Sequence, residues 1–229
     1  MRINKYISET GYCSRRETDR LIVANRITIN GFVCEPGTNV EPGDLVLIDG
    51  KSIPSKEKPI YIALNKPVGI TCTAAKEVAG NIIDFVNHPS RIFPIGRLDK
   101  ASEGLILLTN DGEIVNKMMR SENGHEKEYM VIVDKPITAE FIMKMSSGVE
   151  ILGTMTKPCQ TSQTSEYEFR IILTQGLNRQ IRRMSKALGY KVVRLERIRI
   201  MNIVLTGLEK GRWRDITKEE RQTLLDLLS

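Results

Sequence analysis

The sequence predicts an α+β fold in two parts, and three observations carry that expectation. Strand-like apolar runs outnumber helical ones, and tight turns link them without the strand–helix–strand rhythm of a parallel sheet. A polar stretch, KSIPSKEKP at residues 51–59, separates a compact first 50 residues from the rest and reads as a linker. The expected plan is a small helix-and-hairpin domain over residues 1–50 and a larger domain over 60–229 with a mainly antiparallel mixed sheet.

The elements follow in order. Ile3, Tyr6 and Ile7 keep helical spacing up to Gly11, and Ser14-x-x-Glu17 has the form of a capping box that opens a second helix through Leu21 and Ile22. Arg26 to Ile29 alternates up to Asn30-Gly31, the strongest short hairpin signal, and Leu45 to Ile48 ends at Asp49-Gly50. In the larger part the strand-like runs are Ile60 to Leu64, Leu105 to Thr109, Tyr129 to Val133, Tyr167 to Leu173 and Val192 to Ile200, with Asn110-Asp111-Gly112 read as a turn between strands. Helical runs cover Ile114 to Arg120, Ala139 to Met145, Asn178 to Leu188 and Lys218 to Leu228, the last opened by a Thr217-x-x-Glu220 box.

Composition removes several function classes. No apolar run approaches the roughly 18 residues of a membrane helix, and the start, MRINKYISET, has no apolar core of a secretion signal, so a cytoplasmic, membrane-free protein is expected. The four cysteines, Cys13, Cys34, Cys72 and Cys159, form no C-x-x-C pair and are expected as reduced thiols. His88 and His125, the two histidines, have no partner at ligand spacing, so neither a metal, a small-molecule cofactor nor a Ser-His-Asp triad is expected.

Charge points to an anionic partner. The formal net charge is +6, yet residues 170–199 alone hold nine Arg or Lys against the single acid Glu196, a net of +8. In GLNRQIRRMSKALG, Leu177, Ile181, Met184 and Leu188 fall on one helix face, while Arg179, Arg182, Arg183 and Lys186 gather on the other and Gly189 supplies the stop. Solvated helices usually interleave acids with cations, and uncompensated arginines repel one another unless phosphates or carboxylates receive them. Nucleic acid is the favoured reading over a merely wet surface. Residues 1–49 carry six cations and seven acids, so only the cluster Arg15, Arg16 and Arg20 on the second helix suggests RNA contact there, and a solvated face explains it equally well.

PIGRLDKASEGLILLTNDG, residues 94–112, places Asp99 between cations with Glu103 four residues on. Nearby arginines favour the ionised carboxylate, which suits a nucleophile or a permanently charged base. Local chemistry alone favours a turn or cap role for Asp99, and Tyr129 by itself reads as packing. A hydrolase pairing Asp99 with Glu103 and a metal lacks further ligands at useful spacing.

Together these stretches resemble one enzyme family. "GRLDKASEGLILLTND" resembles the signature of the ribosomal RNA pseudouridine synthases of the RsuA type, and "GLNRQIRRM" followed by "GYKVVRLERIRI" resembles their later arginine motif, in the same order. Residues 1 to about 49 resemble the small alpha-L RNA-binding domain of that family, and "HEKEYMVIVDKPIT", "VEILGT" and "RIMNIVLTGL" resemble members acting on large-subunit rRNA. The resemblance implies an isomerase that converts a specific uridine of 23S rRNA, with another rRNA site, a tRNA, or a non-catalytic assembly role as alternatives. It implies Asp99 as the catalytic aspartate, Arg182 as its partner, Tyr129 packed on the target base and Arg97 in the gap left when that base is flipped out. By the same resemblance Leu98, Lys100, Gln180 and Ile181 join Arg97, Arg179 and Arg183 in binding RNA, and a monomer without cofactor is expected. The sequence ends at Ser229 without the basic tail of some members, so any affinity such a tail supplies is expected to come from elsewhere or to be absent.

Overall fold

The computed structural model describes residues 1–75, 77–119 and 124–229, so Arg120, the expected end of one helix, lies outside the described residues. Two compact units result: Met1–Ile60 with His88–Ile92 and Asn110–Gly112, and the remainder from Tyr61 to Ser229.

In the smaller unit, α1 (Ile3–Glu9) and α2 (Arg15–Val23) follow one another. Ser14 caps α2 by accepting from the Glu17 amide at 3.1 Å. The Glu17 carboxylate, expected to reach back and complete the box, instead receives Arg20 Nη1 at 3.0 Å. β1 (Ile27–Ile29) and β2 (Phe32–Val33) form a hairpin whose turn residues, Asn30 and Gly31, have φ of 53° and 86°. These left-handed values define the tight hairpin turn that Asn-Gly accommodates at little steric cost.

Asp49-Gly50 makes a second such turn, with φ of 51° and 73°, between β3 (Val46–Ile48) and β4 (Lys51–Ser52). The segment expected as linker therefore begins with a strand of the order β2-β1-β3-β4 and an Ile53 that packs on the core. A hairpin turn needs a returning strand, and the polar side chains of Lys51 and Ser52 hid it. Ile3, Ile7, Leu21, Ile22, Ile27, Val46 and Ile48 form that core. Each removes an aliphatic side chain from water, worth about 1.5–3 kcal/mol.

The larger unit is built on a sheet of nine strands among the described residues, ordered β11-β12-β8-β13-β7-β5-β15, with β14 beside β13 and β6 beside β7. Its elements run β5 (Tyr61–Lys66), α3 (Ile82–Val86), β6 (Phe93–Pro94), β7 (Glu103–Thr109), α4 (Gly112–Met119), β8 (Lys127–Val133) and α5 (Ala139–Ser147). Then come β9 (Glu150–Ile151), β10 (Thr154–Met155), β11 (Gln160–Gln163), β12 (Glu168–Leu173), α6 (Gln180–Ala187), β13 (Val192–Ile200), β14 (Ile203–Val204), β15 (Trp213–Asp215) and α7 (Lys218–Asp226). Asn110-Asp111-Gly112 leads from β7 into α4, so this turn joins strand to helix and not two strands. The Thr217 box at α7 has both halves in place.

The unit is α+β with a mostly antiparallel sheet, and β13 against β7 is its parallel pair among the described residues. β5 and β7 are buried along their whole length, as expected of near-continuous apolar runs in the middle of a covered sheet. Gly104 marks the parallel junction: it lies opposite Arg197, and a Cβ built there would stand 2.3 Å from the Arg197 carbonyl oxygen. Only glycine, here with φ of 101°, lets β7 approach β13 so closely.

Candidate active site

A cleft of about 640 Å³ opens in the larger unit, between the turn before β7, strands β8 and β13, and the N-terminus of α6. Asp99 lies at one wall. Its backbone carbonyl accepts from the Ser102 amide at 2.9 Å, closing the turn that delivers the chain into β7. Its carboxylate faces elsewhere: Oδ2 is 3.8 Å from Arg179 Nε and 4.0 Å from Arg182 Nε. The turn role favoured by local chemistry and the charged role are therefore both present, one on the backbone and one on the side chain.

The two arginines differ in kind. Arg182 is held by the fold, donating to Ala101 O at 2.9 Å, Ser102 Oγ at 3.0 Å and Val192 O at 3.3 Å. Its side chain is only 14% exposed, so it leaves the wet face where helical spacing placed it. Burial pulls its guanidinium below the ordinary arginine value, and Asp99 opposes that shift. Arg179 is the N-cap of α6 in a left-handed conformation, φ 51°, and its side chain is 55% exposed.

Arg97 and Lys100 are exposed at the rim, and Leu98 is buried beside them with its amide directed to Cys72 Sγ at 3.4 Å. Tyr129 and Ile181 line the cleft with their side chains nearly buried. Gln180 is also buried and serves as a brace, accepting from the Leu177 amide and donating to Gln175 Oε1. Arg183 is exposed, bonded to Asn178, and lies outside the cleft lining. Arg15, Arg16 and Arg20 are exposed on α2 of the smaller unit, where Arg15 donates to Asn4 and Arg20 pairs with Glu17.

The basic stretch 170–199 is less free than its count suggests. Arg170 pairs with Glu128, Arg194 with Glu103 and Glu196, and Arg199 with Glu126 and Glu128. Those acids, Glu196 apart, lie outside the stretch in sequence and reach it across the sheet. Glu103 is thereby committed to Arg194 and Lys210 and is not part of the cleft lining with Asp99. Burial pushes its carboxyl up, but hydrogen bonds from Lys210 and Arg194 outweigh that and hold it below the usual range.

Sequence reading missed Cys72, Met118, Lys127 and Arg197, all of which line the cleft. It also missed Lys66, a fully buried lysine whose ammonium donates to Pro67 O and Ile70 O. Burial pulls the Lys66 and Lys127 ammonium groups down and pushes the Cys72 thiol up. A signal existed for Arg197, which shares the buried parity of Leu195 on β13.

Residues 60–187 match the RNA pseudouridylate synthase family, and residues 1–51 match the S4 domain. The chain belongs to the RNA pseudouridylate synthase family. It is 55% identical to the dual-specificity RNA pseudouridine synthase RluF of Escherichia coli K12, over 100% of this chain and 79% of that protein. It is 34% identical to ribosomal large subunit pseudouridine synthase B of Bacillus subtilis, over 97% of this chain and 95% of that one. A crystal structure of a pseudouridylate synthase superposes with a TM-score of 0.72 at 29% identity, covering 98% of this chain and 99% of the other. As a family member, the protein is an isomerase that acts on RNA, and its smaller unit is an S4 domain. Among the described residues no helix is long and apolar enough to cross a membrane.

Proposed function

We propose that this pseudouridine synthase isomerises a specific uridine of 23S rRNA, with the target base flipped into the cleft and Asp99 as the catalytic carboxylate. The observation that carries the reading is the Asp99 carboxylate, set between Arg179 and Arg182 in a cleft walled by Tyr129 and Ile181. Uridine conversion detaches the base from ribose at nitrogen, turns it and rejoins it at carbon. Both atoms are hidden in stacked RNA, so extrusion costs a few kcal/mol, which stacking and phosphate contacts offset. Tyr129 packs on the flipped base, Arg97 fills the gap it leaves, and Lys100, Arg179 and Arg183 meet phosphates. Leu98, Gln180 and Ile181 shape the wall that receives the nucleoside.

Large-subunit rRNA is favoured because one relative carries that substrate in its name. The dual specificity named for RluF favours a second RNA substrate, for which a tRNA is the candidate. Mapping carbodiimide-resistant uridines in rRNA and tRNA from cells lacking the protein tests both. Loss of a single 23S site supports the main reading, loss of a tRNA site adds the second, and an unchanged 23S map overturns the first.

A further inference from the structure

Arg197 carries a donor that nothing in the described structure receives. The residue is 3% exposed, and its Nε donates to Leu105 O at 2.6 Å, which fastens β13 to β7 at their parallel junction. Nη2 is buried and has no partner among the described residues. Burying a guanidinium N–H without a partner is costly, so such a donor calls for an acceptor from beyond the described residues.

The location says what that is. Arg197 lines the same cleft as Asp99 and stands directly across the β8–β13 ladder from Tyr129. Gly104 yields the space for it, since any Cβ there would collide with the Arg197 backbone. Leu195, Ile200 and Ile181, which also line the cleft, have apolar side chains that cannot bond a carbonyl oxygen.

We propose that Arg197 is a further substrate-contacting residue, whose Nη2 donates to an exocyclic carbonyl oxygen of the flipped uracil. This rests on the cleft being the seat of that base. The contact gains strength during the reaction. When the N1–C1′ bond breaks, its electron pair stays on uracil and spreads over N1, O2 and O4, whichever way Asp99 satisfies the ribose carbon. Once C5 has bonded to C1′, C5 gives up its proton and N1 takes one, so product and substrate are isomers. A donor fixed at the oxygen stabilises the detached base more than the attached one, as donors to other oxyanions do.

The test separates this contact from the strand-fastening role of Nε. Synthetic RNA carrying the mapped target as uridine, 2-thiouridine or 4-thiouridine is given to wild type, Arg197→Lys and Arg197→Gln, the second keeping an amide toward Leu105 should the first not fold. Sulfur accepts hydrogen bonds weakly and alters the base's own reactivity, so the reading is the oxygen-to-sulfur rate ratio in each protein. The variants are expected to lose about a hundredfold in kcat on uridine. For one of the two thio positions, that ratio is expected to fall about tenfold relative to wild type. Unchanged ratios at both positions, however slow the variants, would overturn the proposal and leave Arg197 a structural fastener. Absence of pseudouridine with wild-type protein would instead strike the reading of the substrate, and this contact with it.

Discussion

Asp99 Oδ2 and Arg182 Nε lie 4.0 Å apart, just beyond a hydrogen bond, while the rest of the Arg182 guanidinium is already committed to Ala101, Ser102 and Val192. Arg182 Nε itself is buried and unpartnered among the described residues. The cation is thus fixed by backbone and strand, and the carboxylate keeps its lone pairs available. A tighter bidentate pair would orient Asp99 better but temper its reactivity.

Replacing Asp99 by Asn keeps the turn, because the Ser102 amide bonds to the backbone carbonyl. Pseudouridine formation is expected to fall by about 10⁴-fold or more, with RNA affinity in gel shifts little changed. Wild-type activity in Asp99→Asn would falsify the catalytic assignment.

Arg179 and Arg182 should separate in their effects. Arg179→Ala removes an exposed cation, so the salt slope of RNA binding should flatten by about one unit. Arg182→Lys cannot make the same three hydrogen bonds, and kcat is expected to drop about 10²- to 10³-fold with a small loss of thermal stability. If Arg179→Ala bound RNA with an unchanged salt slope, its phosphate contact would be wrong.

The exposed cluster Arg15, Arg16 and Arg20 is tested by the triple alanine variant. Weaker RNA binding, a salt slope shallower by up to about three units and an unaltered single-turnover rate at saturating RNA are expected. Binding equal to wild type would assign these arginines to a solvated face.

Glu103 links stability to pH. Its folded carboxyl lies below the ordinary value of 4.5, so its contribution is complete above that value and is lost as pH falls through the folded one. Glu103→Gln should cost about 1–3 kcal/mol at pH 7 and less at a pH below the folded carboxyl's own value, and so flatten the acid limb of the denaturation curve. Equal destabilisation at both pH values would show that charge is not what Glu103 contributes.

Gly104→Ala places a methyl group within 2.3 Å of the Arg197 carbonyl. Destabilisation of about 2–4 kcal/mol is expected, read as a lower urea midpoint. A wild-type midpoint would mean that β7 and β13 shift apart without cost.

Local chemistry was legible wherever one short segment decides its own conformation. Val192–Ile200 is the strand its apolar run predicts, Asn30-Gly31 makes its hairpin, and the Thr217 box opens α7, because turn and cap energies act over a few residues. The family resemblance paired Asp99 with Arg182, and the two side chains lie 4.0 Å apart although they are distant in the chain. Which cations stay free to meet RNA was a different matter. Arg170, Arg194 and Arg199 read as part of one basic surface, yet each is neutralised by a glutamate from another strand. Strand pairing brings Glu128 between Arg170 and Arg199, and Coulomb attraction acts on distance through space, which no count along a window contains. Asp99 was in doubt for the same reason: it is a turn residue by its neighbours, and its carboxylate meets two arginines only where the fold carries α6 to within 4.0 Å of it.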